Sequence, residues 1–333
     1  MEILVTGGLG YIGSHTVVEL LENNHDVVIY DDLSNSDLSV LDSISQITKR
    51  SVKFYEGDVR NKALLIEVLQ KHSIDIVIHF AGLKSLTESA QNPLEYYDNN
   101  VFGTVSLLSA MRHSQARKII FSSSASVYGN PKFVPIPEVH PLVPTNPYAN
   151  TKKHVEEIMT DLVKSDERWK VICLRYFNPI GAHSSGLIGE NPKGLPNNLV
   201  PYIARVASGE NPVLPVYGEN YPTPDGTGIR DYIHVVDLAN GHIAALNFFS
   251  NQSENPAIFN LGRGEGVSVF EMIEAFEVAS GVTINFEIKP PRSGDVAECY
   301  ADNTKACNIL NWHPQHDLSD MCTSAWLFTQ MSK

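Results

Sequence analysis

Cysteine is scarce in this chain, with four in 333 residues. Cys173, Cys299, Cys307 and Cys322 show no CxxC spacing and no histidines at metal-like intervals. A disulfide framework and a zinc ribbon are therefore excluded, no metal site is expected, and free thiols in a reducing compartment are the default. Long apolar runs are missing as well: none approaches the roughly 18 residues that would cross a bilayer. The opening MEILVTGG enters a strand-like segment without a secretory leader, so a soluble, cytoplasmic protein is expected. Basic charge is short, 25 Lys and Arg against 38 Asp and Glu, a net charge of −13. That leaves no basic footprint for a nucleic acid. A small phosphate-bearing ligand stays compatible, because a helix N-terminus and a few arginines suffice locally. Repeats and low-complexity tracts are absent too.

What is present is alternation. Apolar runs at 2–8, 26–32, 52–58, 74–82, 117–124 and 171–178 read as strands, separated by helical patterns at 11–23, 61–72, 93–113 and 148–164. Continuous apolar strands between helices predict buried parallel strands with right-handed crossovers, an α/β doubly wound (Rossmann) sheet. After Asn178 the stretch NPIGAHSSGLIGENPKGLPNN is rich in Gly, Pro and Asn and reads as a long functional loop. This divides the chain into a dinucleotide-binding domain at 1–178 and a smaller α/β substrate domain at 179–333. The segments DYIHVVD and AIFNLG are candidates to return to the first sheet's edge. Ser268 and Glu271 have capping-box spacing, and Gly281 is placed to end that helix.

TGGLGYIG sets Gly7, Gly10 and Gly13 between the first strand and the first helix. Glycine spacing alone is a weak signal; its position after a strand and before a helix is what the mechanism requires. Gly7 permits the tight turn, Gly10 the approach of a pyrophosphate, and Gly13 close packing of helix on strand. The second strand ends at Asp31 and Asp32, where an acid meets the ribose hydroxyls. Leu33, Ser34, Asn35 and Ser36 form the rim that follows. No arginine stands there for a 2′-phosphate, so NAD is favoured over NADP. Asp58 ends the third strand within reach of an adenine. Phe80, Ala81, Gly82, Leu83 and Lys84 end the fourth, where small residues let a nucleotide pass close to backbone.

Catalytic residues are expected at the carboxyl ends of parallel strands. Strand five ends in Ser122, Ser123 and Ser124. The next helix carries Tyr148 and Lys152, which share a face at i and i+4. By itself this pair fits a solvated helix surface. With the serine and the glycine loop it fits alcohol oxidation, the phenolate taking a proton while hydride leaves carbon. A phenol has a pKa of about 10, so bringing it near neutrality takes about 4 kcal/mol; Lys152 and a positive nicotinamide are expected to lower it. His79, inside an apolar strand, reads as a satisfied core histidine.

The order GxxGxxG, SSSASVYG, YxxxK resembles the extended short-chain dehydrogenase/reductases. HFAGLKSLTESAQNPLEYYDNN, RYFNPIGAH, PNNLVPYIA and DGTGIRDYIHVVDLA narrow the resemblance to UDP-glucose (UDP-galactose) 4-epimerases, across almost the whole chain. The resemblance implies that tightly held NAD oxidises the sugar at C4 and then reduces it from the other face, interconverting UDP-galactose and UDP-glucose. It implies Tyr148 as base beside Lys152 and Ser124. It adds Tyr11, Ile12, Val59, Asn99 and Phe177 to the NAD contacts already named. For the UDP-sugar it implies Asn178, Asn198, Leu199, Pro215, Val216, Tyr217, Arg230, Arg292 and Asp295, with Ser124 and Tyr148 at the reacting carbon. The two arginines offer forked, permanent charge to a diphosphate.

Cys299 aligns where some members carry tyrosine; with a slip of one, Tyr300 would stand there. A small residue implies room for an N-acetyl group, hence UDP-GlcNAc and UDP-GalNAc as further substrates. Homodimerisation through the 93–113 and 148–164 helices is likewise implied by the resemblance; the stripe Val105, Leu108, Met111 fits either a partner or the core. A 4,6-dehydratase is disfavoured because Ala125-Ser126 stands where its acidic pair belongs. A decarboxylase or uronate epimerase remains the alternative.

Overall fold

A computed structural model of the chain describes residues 1–332 except Leu195, Asn197 and Ser293. Asn197 of the PNNLVPYIA motif thus lies outside the described residues. The centre is a seven-stranded parallel sheet. It contains β1 (Glu2–Thr6), β2 (Asp26–Asp31), β3 (Lys53–Glu56), β4 (Ile76–His79), β5 (Lys118–Ser124) and β6 (Lys170–Tyr176). The seventh strand is Ala257–Leu261, and the order is Ala257–Leu261, β6, β5, β4, β1, β2, β3.

Both faces are covered, which explains why the strands are continuously apolar rather than alternating. Ile3, Val5, Ile76 and Ile78 point to one side, packing with α1 (Tyr11–Glu22), α2 (Ser39–Thr48) and the helix Val235–Phe248. Leu4, Val77, Ile119 and Phe121 point to the other. There they meet α3 (Lys62–Lys71), α6 (Gly103–Met111) and α7 (Pro147–Ser165). The short helices α4 (Leu86–Gln91) and α5 (Pro93–Tyr96) and a π-helical turn at Tyr97–Phe102 lead into α6. Each fully buried Val, Leu or Ile contributes roughly 1.5–3 kcal/mol. Leu108 and Met111 lie in this core, whereas Val105 is exposed.

The chain crosses back after residue 178. The helix Val235–Phe248 packs on α1, and Ala257–Leu261 pairs with β6, so the sheet joins sequence from both sides of that division. AIFNLG thus joins the sheet edge. DYIHVVD does not: Tyr232–His234 pairs instead with Asn178–Ile180 in a separate ribbon. The second lobe packs the helices Leu199–Ala207, Val269–Ser280 and Leu318–Met331 around Leu214, Val216, Met272 and Phe276. Ser268 and Glu271 form the expected capping box, and Gly281 ends its helix in a left-handed conformation at φ 69°.

Candidate functional site

The glycine turn is rigid on one side and open on the other. Gly7 has φ +70°, and a Cβ there would stand 2.7 Å from the Ala81 nitrogen. A Cβ on Gly13 would collide with the Gly7 carbonyl, so α1 can rest on the turn only through a glycine. At Gly10 the sole neighbour within 4 Å of an added Cβ is the Gly7 carbonyl oxygen, at 3.3 Å. Gly10 also caps α1 without a side-chain hydrogen bond. The first-turn amides, including those of Tyr11 and Ile12, therefore remain for an anion. This cradle fits a pyrophosphate.

Asp31 is buried and holds the turn together: its carboxylate accepts from the Leu9 and Leu33 amides at 3.0 Å and from Ser36 Oγ at 2.7 Å. Asp32 accepts from the Ser34 amide, and Asn35 is exposed on the same loop. Asp58 is not free-standing. Arg60 holds it and also reaches Asp98, and these contacts keep the Asp58 carboxyl below the usual carboxylate range. Val59 packs into the core beside Gly103. Ala81 and Phe80 amides donate to the Thr6 carbonyl, fixing FAGLK against β1. Leu83 is stapled to Asn100, which accepts from its amide at 2.8 Å and donates to its carbonyl at 3.0 Å. Asn99 beside it is half-buried. The reading of His79 as a core residue matches its surroundings: it bonds Thr6 and Thr104 hydroxyls at 2.7 and 2.9 Å.

α7 begins where Asn146 accepts from the Ala149 amide and Pro147 takes the first helical position. It carries Tyr148 and Lys152 toward the end of β5. Lys152 is buried, donates to the Ser122 carbonyl at 2.7 Å, and lies 5.8 Å from the centroid of the Tyr148 ring. Ser124 accepts from the amide and hydroxyl of Ser126 at 3.2 and 2.9 Å, and its hydroxyl is the polar group that lowers the Tyr148 phenol. One electrostatic expectation is corrected. Burial pushes the Tyr148 phenol up, with only the Ser124 hydrogen bond opposing it. Lys152 is not among the groups that lower it here: its ammonium donates to the Ser122 carbonyl and lies 5.8 Å from the ring centroid. Burial lowers Lys152 itself to about 8, against the pull of Glu156.

Phe177 lies in a small apolar cluster with Ala125, Val127 and Ile136, against which Cys299 packs. Burial pushes the Cys299 thiol up to about 11, so this wall is neutral. Cys299 pairs with Arg230 across short parallel strands, while the Tyr300 ring lies against Gly266. Arg230 faces Asp295 at 3.7 Å, and the Arg292 guanidinium stacks 3.8 Å from the Tyr217 ring centroid. On the same strand Val216 points into the second core, while Pro215 and Tyr217 are half-exposed. Asn178 donates twice to the Asp231 carbonyl. Asn198 stands before the helix that begins at Leu199. Its side chain donates to Glu190, which also holds Lys84 at 3.0 Å.

Sequence reading missed Glu190, Lys193, Asn100 and Glu156. Lys193 donates to the Leu33 and Ser34 carbonyls and so straps the long loop over the rim after β2. No local pattern marks such contacts, since each joins residues far apart in sequence. Glu156 did leave a trace: it continues the i, i+4 spacing of Tyr148 and Lys152. Among the described residues no group of His, Cys, Asp and Glu could hold a metal ion.

A doubly wound sheet, a glycine turn under a bare helix end, and a Ser–Tyr–Lys set at the next crossover define a dinucleotide-dependent enzyme of the short-chain dehydrogenase/reductase class. Residues 4–325 match the family model described as GDP-mannose 4,6 dehydratase. The chain is 53% identical to the UDP-glucose 4-epimerase of Neisseria meningitidis serogroup C, covering 98% of this chain and 96% of that one. To that of Dictyostelium discoideum it is 50% identical, covering 99% and 96%. It superposes on the UDP-glucose-4-epimerase of Stenotrophomonas maltophila, solved with NAD and formylated UDP-arabinopyranose, with a TM-score of 0.97 and 47% identity, covering 100% and 98%. For the Bifidobacterium longum enzyme, solved with NAD+ and UDP, the values are 0.96 and 49%, covering 99% and 98%. The chain belongs to the UDP-glucose 4-epimerase family.

Proposed function

We propose that this protein interconverts UDP-galactose and UDP-glucose by transient oxidation at the sugar C4, using NAD that stays bound. The observation that carries this reading is the convergence of the open glycine cradle with Ser124, Tyr148 and Lys152 at the carboxyl ends of β1 and β5. NAD, when bound, supplies the acceptor and later the donor of hydride. Tyr148 takes the C4 hydroxyl proton and returns it after the sugar has turned, and Ser124 orients that hydroxyl. The Tyr148 phenol is held up by burial, so ionisation in the loaded enzyme draws on positive charge placed against it. Arg230 and Arg292 hold the diphosphate, with Tyr217, Asn178, Asn198 and Asp295 on the rest of the nucleotide. Elimination of water is disfavoured, since Ala125 and Ser126 offer no acid where a dehydratase needs one.

The finer reading extends to N-acetylated UDP-hexoses. Its support is the small, neutral Cys299 beside Phe177 and Ala125, with the bulkier Tyr300 turned toward Gly266. Residence in the cytoplasm agrees with four unpaired thiols. No helix among the described residues is long and apolar enough to cross a membrane. Homodimerisation is supported by Leu94, Phe102 and Val105, which expose 83%, 52% and 38% of their surface along α5, the π-helical turn and α6. The test is turnover of UDP-galactose by purified protein without added NAD, with dinucleotide released on denaturation. No turnover, or a strict need for added NAD, sinks the proposal.

A further inference from the structure

The three serines that close β5 each engage a different turn of α7. Ser124 is the polar neighbour that lowers the Tyr148 phenol, the Ser122 carbonyl accepts from Lys152 at 2.7 Å, and Ser123 Oγ donates to Glu156 at 2.5 Å. Residues 148, 152 and 156 are spaced by four and so form one stripe. A carboxylate on that stripe would be costly to bury alone. It is paired: Arg175 of β6 donates to both Glu156 oxygens at 3.0 and 2.7 Å, and the two side chains are 2% and 6% exposed. Arg175 continues to the Tyr128 hydroxyl and the Glu138 carbonyl. Tyr128 in turn donates to Asn260, whose amide holds the Ile136 carbonyl. The Ile136 amide bonds the Tyr300 carbonyl, next to Cys299. The buried pair thus links the reacting helix to the wall of the sugar pocket.

We propose that Glu156, clamped by Ser123 and Arg175, is a positioning residue that sets the register of α7 on β5 and keeps an anion one turn from the Lys152 ammonium. This rests on the epimerase reading for its purpose; the electrostatic part rests on the i, i+4 placement of Lys152 and Glu156 on α7 and on the burial of both, with the direction of the Lys152 shift beside it. Glu156 and Tyr148 face Lys152 from its own helix. His79 of β4 feels its charge, while Arg175 and Cys173 of β6 lie beside Glu156 and Tyr176 beside Tyr148. Of these, Glu156 is the group that raises Lys152 against its burial. Removing the anion therefore makes Lys152 lose its proton at lower pH.

The experiment is a pH titration of the holoenzyme carrying 13C-labelled lysine, followed by NMR, with Lys152 assigned by its disappearance in Lys152→Met. In Glu156→Gln the Lys152 midpoint falls by about one unit, and the alkaline limb of turnover moves with it, a roughly tenfold loss at high pH relative to neutral. Bound NAD is retained. Glu156→Gln/Arg175→Gln, which removes the buried pair as a whole, shifts the midpoint in the same direction by less and serves where the single variant does not fold. A Lys152 midpoint that stays in place, or turnover reduced equally at every pH, overturns the proposal. A shifted midpoint in a protein that does not epimerise leaves the proposal standing and removes the function reading instead.

Discussion

The proposed cofactor side and the proposed sugar side of the site are built differently. On the cofactor side, Gly7, Leu9, Gly13, Asp31, Leu33 and Ser36 bond within two adjoining β-α connections, and backbone sets most of the geometry. On the sugar side, residues 178, 198, 217, 230, 292 and 299 arrive from six separate loops and short strands, two of which are two residues long. Side chains supply the shape there. The difference teaches where tolerance lies. Change on the cofactor side disturbs folding and retention together, whereas change on the sugar side alters affinity and choice of substrate.

The largest effect tests the seam between the two. Tyr148→Phe is expected to keep bound NAD and lose turnover by about 10²–10⁴-fold, the usual contribution of a positioned acid–base group; steady-state rates together with the released dinucleotide measure this, and near-normal turnover would remove Tyr148 as the base. Next comes the glycine turn. Gly13→Ala drives a methyl into the Gly7 carbonyl and should cost about 1–3 kcal/mol or more with loss of NAD. Gly10→Ala meets only one atom at 3.3 Å, so it should melt near wild type while binding NAD poorly. Equal melting temperatures for the two would break the contrast between packing and approach.

On the sugar side, Arg292→Ala should raise KM for UDP-galactose by roughly 10–100-fold through loss of about 1.5–3 kcal/mol of charged hydrogen bonding, with thermal stability unchanged. A fall in melting temperature without a KM change would show that Arg292 serves the fold. Cys299→Tyr should abolish activity on UDP-GlcNAc while sparing UDP-glucose several-fold better; equal loss on both sugars, or on neither, removes the pocket-size argument.

The smallest effect, per residue and per unit pH, concerns stability. Burial lowers His15, His79 and His234 to about 3 and His242 to about 4, all below the ordinary 6.5. The unfolded chain then binds more protons than the fold, so stability is full above about 6.5 and is lost as pH falls toward 3–4. Each such histidine costs about 1.4 kcal/mol per pH unit in that window. Denaturant midpoints at pH 7.5, 6.5 and 5.5 should drop mostly over the last interval, and His79→Gln should lessen that drop.

Much of the first lobe was legible because its signals are local. Strands β1 to β6 and the glycine turn follow from residues close in sequence, as does the capping box at Ser268 in the second lobe. The Tyr148–Lys152 face was legible for the same reason, through helical spacing. Their electrostatics were not, since the Ser122 carbonyl that engages Lys152 is thirty residues away. The strands at Ile229–Arg230 and Glu298–Cys299 are too short to show a period. The return of Ala257–Leu261 to the sheet was open in the sequence as one of two candidates.

By itself, the sequence determined a doubly wound fold, its glycine turn and the helix that carries Tyr148 and Lys152, because backbone conformation and side-chain period are set within a few residues. Only the tertiary structure decided which way Cys299 and Tyr300 face, that Glu190 joins Lys84 to Asn198, and that Glu156 lies in a buried ion pair under Lys152. Those arrangements depend on burial and on partners brought together from distant segments, and both come into being only when the chain packs.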